Sequence, residues 1–280
     1  MKAKVYAKIN LNLLITGRVD NMHTLDSLMH SVSLYDTVEI SEGEGVYMDG
    51  VLDEKNSVHK VRQLMEKEGL PSLRVDIKKG IPFSAGLGGS SADMSACVEL
   101  VKRAYGVQLD TISLGSDVTF MQRGGFARVK GIGDEVEYLE PLDLHLVIAK
   151  GRGGVSTKEA YRLFDERGQS RNLDTSILID ALYKKDWEKI RENLANDLQE
   201  PAKMLNTRIR DTYANMCKCT DMVLMSGSGS AVFGIFRSKE EAIKAERALR
   251  SPDCFAKYAT TKAQGVEILQ FYYFTNNKEA

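Results

Sequence analysis

From Val5 to Ile15 every second residue is apolar. Val5, Ala7, Ile9, Leu11, Leu13 and Ile15 fall on one side of a predicted strand, which Gly17 ends. A second strand is predicted over Thr37–Ile40, after SVSLYD. The period then changes. Asn56–Glu68 reads as a helix, capped by Asn56 or Ser57 and stopped by Gly69-Leu70-Pro71. Leu73–Ile77 alternates again as a short strand. From Ser91 onward Met94, Cys97, Val98, Val101 and Tyr105 recur at helical spacing, which predicts one buried face, and Gly106 closes that helix.

The second half reads differently. Gly124-Gly125 is a turn between Val118–Gln122 and Phe126–Lys130, and Leu144–Ala149 is a compact apolar strand. KGRGGVST follows, the most linker-like stretch of the chain. It predicts a division into residues 1–150 and 151–280. Beyond it lie predicted helices at Thr157–Glu166, Thr175–Lys184, Trp187–Asn196 and Pro201–Cys217. Strands are predicted at Met222–Met225 and Ala231–Phe236, a helix at Lys239–Leu249, and a last strand over Val266–Tyr273. Strands and helices in this mixed order predict an α+β fold.

Bulk properties narrow the function. A chain of 280 residues can bury a large core, and a formal net charge of −1 excludes a general binder of nucleic acid or anionic membrane. No apolar run approaches the roughly 20 residues of a membrane helix. MKAKVYAKINLNLLI lacks the continuous apolar stretch and cleavage site of a signal peptide, so a cytoplasmic location is expected. Cys97, Cys217, Cys219 and Cys254 show no zinc spacing and read as reduced thiols.

Candidate chemistry gathers in three stretches. IPFSAGLGGSSADMSACVELV, from Ile81 to Val101, sets three glycines and three serines directly before a helix. Glycine lets backbone approach a ligand closely, and a helix start offers free N–H groups and a partial positive charge to an anion. The loop lacks the lysine of a Walker A motif and the third glycine of a dinucleotide fingerprint, and it opens a helix, unlike a protein-kinase loop. A phosphate loop and an ordinary turn both remain open on these residues. Two serines behind the glycines exceed what a cap requires, and Asp93 is the only acid of the first helical turn. LMSGSGSAVFGIF, Leu224–Phe236, is a second glycine-serine turn between apolar strands. AKINLNLLITGR, Ala7–Arg18, sets Lys8, Asn10 and Asn12 on the first strand, where a half-exposed edge would also accept them.

Together these stretches resemble the three motifs of the GHMP small-molecule kinases, named for galactokinase, homoserine, mevalonate and phosphomevalonate kinases. KINLNLLITGR, HSVSLYDTVEI, LGSDVTF, VSTKEAYRLFD, NDLQEP and MSGSGSAVFGIF follow in the order of one branch of that family. That branch phosphorylates the 2-hydroxyl of a cytidine diphosphate-linked methylerythritol in non-mevalonate isoprenoid synthesis. The resemblance implies a ribosomal-S5-like N-terminal lobe, a ferredoxin-like C-terminal lobe, and ATP with Mg²⁺ in the cleft between them. It implies catalytic roles for Lys8 and Asp117. It implies ATP contacts from Asn56 and from Pro82, Phe83, Ser84, Ala85, Gly86, Leu87, Gly88, Gly89, Ser90, Ser91 and Ala92. It implies contacts to the cytidine diphosphate-linked polyol from Asn10, His23, Thr157 and Tyr161, with Tyr161 stacked on the base and His23 at its edge. The chain departs from the branch at Asn21-Met22-His23, where Gly-Tyr-His is usual. Thr119 replaces a common proline, and the loop serines stand one place early. No residue is singled out as the magnesium ligand. Other readings are a related kinase for another small alcohol, of homoserine or mevalonate type, and a ligand sensor that has lost catalysis.

Overall fold

A computed structural model of the protein describes residues 1–167 and 169–270. β1 (Lys2–Val19) and β2 (Met22–Glu42) form one long antiparallel hairpin. It turns at Asp20 and Asn21, both at positive φ, a region in which Asp and Asn are enriched. β3 (Val46–Met48) and β4 (Val51–Leu52) make a small hairpin before α1 (His59–Lys67) and β5 (Leu73–Lys78). The glycine loop leads into α2 (Gly89–Tyr105), then α3 (Ser116–Arg123), the hairpin of β6 (Phe126–Gly131) and β7 (Glu135–Leu139), and β8 (His145–Gly151). A helical run follows: α4 (Thr157–Arg167), α5 (Thr175–Lys184), α6 (Trp187–Asn193), α7 (Gln199–Leu205) and α8 (Thr207–Cys217). β9 (Val223–Met225), β10 (Val232–Phe236), α9 (Lys239–Leu249), β11 (Cys254–Lys262) and β12 (Val266–Gln270) complete the described chain.

The fold is α+β, and β2 organises it. This strand is far longer than the predicted Thr37–Ile40. Its first part pairs with β6, its last part with β5, and Ser31 and Val32 pair with β11. Through β11 the sheet continues to β8, β10 and β9. β3 and β5 are parallel, and the other pairings are antiparallel.

Three other expectations change. Val118–Gln122 lies inside α3, so Gly124-Gly125 turns a helix into a strand. The single helix predicted over Pro201–Cys217 is two. Asn206 leaves helical geometry at φ −139 and ψ 103 and caps α8 by accepting from the Arg208 amide at 3.0 Å. α6 ends at Asn193 because the backbone beyond it pairs with β1: the Leu13 amide donates to the Ala195 carbonyl at 2.8 Å, and the Asp197 amide to the Leu13 carbonyl at 2.9 Å. The predicted continuation of the last strand to Tyr273 lies outside the described residues.

Two apolar cores meet along β1. Val5, Ala7, Ile9 and Leu11 belong to the larger, with α2 and most of the β2 sheet, while Leu13 and Ile15 belong to the smaller, with α4, α8 and α9. A bulge separates the two sets. Asn10 pairs with Met29 and Asn12 with Leu28, leaving Leu11 as the extra residue. An extra residue reverses which face the following side chains occupy. The alternation that the sequence shows as one stripe is therefore divided between two cores.

His30 lies in the larger core, fully buried and stacked on Phe126 at 5.1 Å between ring centroids. Its Nδ1 donates to the Ser31 carbonyl at 3.0 Å and its Nε2 accepts from the Leu142 amide at 3.0 Å. That pattern holds the neutral ring, and burial, against a smaller opposing effect of the Ser31 bond, pushes its pKa down from 6.5 to about 4. The unfolded chain then takes up the proton first, so stability is complete above pH 6.5 and falls as pH drops toward 4. The difference amounts to about 3 kcal/mol. Urea midpoints taken between neutral pH and about pH 4.5 should show this loss, and His30→Gln should flatten the profile. An equal slope in the variant would assign the effect to other groups.

Candidate active site

α2 begins at Gly89 with Gly88 as its cap and no side chain bonded to its first amides. A helix start left uncapped is available to an anion. The helix itself is held rigidly: Ala92 through Val98 are buried without a break, more than the one face predicted. Pro82 to Ser91 line one end of a cleft of about 1140 Å³, and Ala92 is buried in the core behind them.

The second glycine loop closes against the first. The Ala231 amide donates to the Ala85 carbonyl at 2.9 Å, and Ser226 Oγ donates to the Gly86 carbonyl at 3.0 Å. Ser226 Oγ also accepts from the Asn10 amide at 3.2 Å, which joins both loops to β1. Asn196, from NDLQEP, is buried and donates through Nδ2 to the carbonyls of Met225 and Gly227, each at 2.8 Å. Gly227, Ser228 and Gly229 thereby reach the cleft wall.

Lys8 and Asn10 stand beside this junction. They are buried, unlike residues of a half-exposed edge, and each polar group is partnered. Lys8 Nζ donates to Asn10 Oδ1 at 2.6 Å, and Asn10 Nδ2 donates to Ser27 Oγ at 2.8 Å. The Lys8 amide donates to the Leu87 carbonyl at 3.1 Å, which ties the strand to the loop. Asp117, in the first turn of α3, places Oδ2 3.7 Å from Lys8 Nζ and keeps part of its surface open to the cleft. A buried ammonium and a partly open carboxylate thus face one space, which Gly86 to Ser91 also line.

Part of the cleft wall is aromatic. Tyr161, on α4, stacks on His23 with ring centroids 4.6 Å apart and planes inclined by 26°. Burial, with a smaller contribution from Asp117, pushes the Tyr161 phenol up to about 12 and keeps it neutral. Thr157 begins α4 and shares a 2.7 Å hydroxyl contact with Ser228. Met22 lines the cleft and is half exposed. Asn56 also lines the cleft, but its side chain is committed locally: Nδ2 donates to Asp53 Oδ2 at 3.1 Å and Oδ1 accepts from the Val58 amide at 3.0 Å.

Two clusters on the cleft wall escaped sequence reasoning. Lys79 Nζ bridges Asp36 and Asp93, reaching Asp93 Oδ2 at 2.8 Å. Asp36 Oδ1 also accepts from the amides of Gly80 and Ile81, at 2.7 and 2.8 Å, and so fixes the start of the glycine loop. Asp93 Oδ1 is buried with no hydrogen-bond partner. Burial chiefly, opposed by Lys79 and assisted by Asp36, pushes the Asp93 carboxyl up to about 8. The second cluster is Arg18, His23 and Asp165, whose members come from the β1–β2 hairpin and from α4. Asp93 was visible as the lone acid of its turn. Nothing in the local sequence marks Lys79, Asp36 or Asp165 as partners of these groups. Among the described residues no three acidic, histidine or cysteine side chains group to hold a metal by themselves, and no helix is long and apolar enough to cross a membrane.

Comparisons with known proteins show the family. The model of the GHMP kinase N-terminal domain matches residues 56–127, and that of the GHMP kinase C-terminal domain matches residues 178–252. A 4-diphosphocytidyl-2-C-methyl-D-erythritol kinase of Desulfitobacterium hafniense is 35% identical over 255 residues, covering 85% of this chain and 88% of its own. One of Caldanaerobacter subterraneus is 29% identical over 285 residues, covering 96% of this chain and 99% of its own. The crystal structure of a 4-(cytidine 5'-diphospho)-2C-methyl-D-erythritol kinase superimposes with a TM-score of 0.80 at 28% identity, over 93% of this chain and 99% of that one. A homoserine kinase from Cytophaga hutchinsonii, with a TM-score of 0.69 at 19% identity over 96% of this chain and 97% of that one, shares the fold. The chain belongs to the GHMP kinases, in the family of the 4-diphosphocytidyl-2-C-methyl-D-erythritol kinases.

Proposed function

We propose that the protein transfers the γ-phosphoryl group of ATP to the 2-hydroxyl of 4-diphosphocytidyl-2-C-methyl-D-erythritol. One observation carries the reading: the Lys8–Asp117 pair lies in a single cleft that a glycine-lined helix start and a pair of stacked rings also line. Phosphoryl transfer has a loose transition state, so catalysis is mostly positioning and charge stabilisation. Free amides of Gly86–Ser91 hold the phosphates. Asp117 accepts the hydroxyl proton or holds the hydroxyl in line for attack. Lys8 stabilises the developing alkoxide, and Asn10 fixes the Lys8 ammonium through its 2.6 Å bond.

The residues present fit a magnesium ion carried in by ATP. Asp93 has a buried oxygen with no partner, and Ser90 and Ser91 stand in the same part of α2; a bound cation would hold ionised a carboxyl that burial otherwise pushes up to about 8. Magnesium commonly takes one or two protein carboxylates and completes its shell with phosphate oxygens and water. When bound, it neutralises phosphate charge. The division into residues 1–150 and 151–280 belongs to the same proposal, supported by the two family matches lying on either side of it.

Tyr161 is assigned to the base and Thr157 to the same pocket. A base that meets the His23 edge lies in the layer of the histidine ring, over the part of Tyr161 that an offset stack leaves uncovered. Base–aromatic stacking contributes about 1–3 kcal/mol in nucleic-acid binding proteins. Tyr161→Ala should therefore raise KM for the cytidine substrate about tenfold or more and leave KM for ATP nearly unchanged. Steady-state kinetics with each substrate varied in turn measures this; an unchanged KM for the alcohol would remove Tyr161 from the base site.

Phosphorus NMR of the product formed from ATP and the diphosphocytidyl alcohol tests the activity itself. A panel containing homoserine and mevalonate belongs in the same experiment. Turnover of either in preference to the cytidine compound would overturn the proposed substrate. ATP turnover that no alcohol stimulates would favour a sensor.

A further inference from the structure

His23 and Arg18 are cross-strand partners at the tip of the β1–β2 hairpin. Asp165 lies one helical turn beyond Tyr161 on α4, on the same face. The hairpin and the helix meet through these side chains. His23 Nε2 is 2.7 Å from Asp165 Oδ1, and Arg18 Nη2 pairs with Asp165 Oδ2. Phe164 closes the back of the histidine ring edge-on, at 6.3 Å between centroids. The His23 side chain is only 12% exposed, and its Nδ1 makes no hydrogen bond to another described residue.

A neutral imidazole has one donor and one acceptor nitrogen, and the partner of one sets the role of the other. Nε2 has two neighbours with opposite demands. Arg18 brings donors to 3.1 and 3.2 Å, whereas Asp165 brings an acceptor to 2.7 Å. A lone pair held 2.7 Å from a carboxylate oxygen is repelled at shorter range than an N–H held beyond 3 Å from a guanidinium. A bond into a carboxylate is also charge-assisted, and Arg18 already has its own bond to the other oxygen. The proton therefore belongs on Nε2, and Nδ1 is left as an acceptor without a described protein partner, on a ring that lines the cleft.

We infer that Asp165 is a positioning residue for base selection: by holding the proton on His23 Nε2 it presents Nδ1 to a pyrimidine that carries an exocyclic amine. The inference rests on the proposed cytidine substrate and adds the residue that sets its specificity. Cytosine offers an amino donor at the position where uracil offers a carbonyl acceptor. An acceptor nitrogen bonds the first and repels the second. The same ring with its proton on Nδ1 would reverse that preference. Arg18 serves the arrangement indirectly, by fixing Asp165.

The experiment uses the full-length protein with its phosphate-loop end saturated by a non-hydrolysable ATP analogue. Nitrogen-15 NMR of the His23 ring reads the tautomer, and calorimetry reads the affinities of CDP and UDP. The wild type should carry its proton on Nε2 and prefer CDP by about tenfold or more. Asp165→Asn keeps size and shape but can donate to Nε2; it should shift the proton toward Nδ1 and lose the preference. Asp165→Glu retains the carboxylate and should keep part of it. A wild type that prefers CDP, with an Asp165→Asn variant that keeps either the tautomer or the preference, overturns the inference and leaves the cytidine reading standing. A wild type that binds both nucleotides equally, or neither, overturns the base-site reading and this inference with it.

Discussion

Asp117→Asn should lower kcat by roughly 10²–10⁴, the range for losing general-base assistance at an otherwise intact site. The substitution preserves volume, and Asp117 lies in the first turn of α3, partly open to the cleft, so the fold should survive it. The informative measurement is the double variant with Lys8→Ala. Lys8 Nζ lies 3.7 Å from Asp117 Oδ2 and is held there by Asn10. If both groups act on one hydroxyl, removing either disables the pair, and the second loss adds little. Pre-steady-state kinetics of wild type, both singles and the double separates these cases. Losses that multiply in full would mean that the two residues serve different steps.

Gly86→Ala should weaken ATP binding about tenfold or more while the two cores remain folded. Gly86 has φ +72, and a Cβ there would meet the Ser226 carbonyl oxygen at 2.1 Å and the Gly229 amide nitrogen at 2.9 Å. Both obstacles are backbone, so no side chain can swing away. The two glycine loops must part, and the Ser226–Gly86 bond that holds them together is lost. Gly106→Ala is the control. It lies at the other end of α2 with φ +71 but has nothing within 4 Å of the added carbon. It carries the same backbone strain without the clash. Calorimetric titration of ATP into both folded variants makes the comparison. Equal affinities would reduce the contact between the loops to scaffolding.

The sequence exposes what is local. The glycine loop and α2, Lys8 on an alternating strand, and the helices Thr175–Lys184 and Lys239–Leu249 are all written in short-range spacing, and they lie where the pattern places them. What it hides is set by pairing at a distance. The first part of β2, MHTLDSLMH, shows no clean alternation, since buried Ser27 and His30 interrupt its apolar positions, and its strand state comes from pairing with β1 and β6. β11 was not predicted. Lys257, Thr260, Thr261 and Lys262 dilute its apolar pattern, and its strand state comes from pairing with β8. The Arg18–His23–Asp165 cluster joins positions 142 and 147 residues apart; His23 was marked by the family resemblance, but Arg18 and Asp165 alone read as ordinary surface charges. Catalytic candidates were legible as motifs, while the side chains that orient them were not.

The bulge at Leu11 divides the labour of β1. Lys8 and Asn10 precede it, on the stretch packed with α2 and α3; Leu13 and Ile15 follow it, on the stretch packed with α4. The Lys8–Asp117 pair and the first glycine loop therefore lie on one side of the bulge, while Thr157, Tyr161 and Asp165 lie on the other. A bulge is the point where a strand bends most easily, since its extra residue has no ladder partner. Opening or closing at Leu11 would carry the base-holding end toward or away from the Lys8–Asp117 pair without changing the distance within it. The reacting hydroxyl would then be delivered to a catalytic pair already assembled.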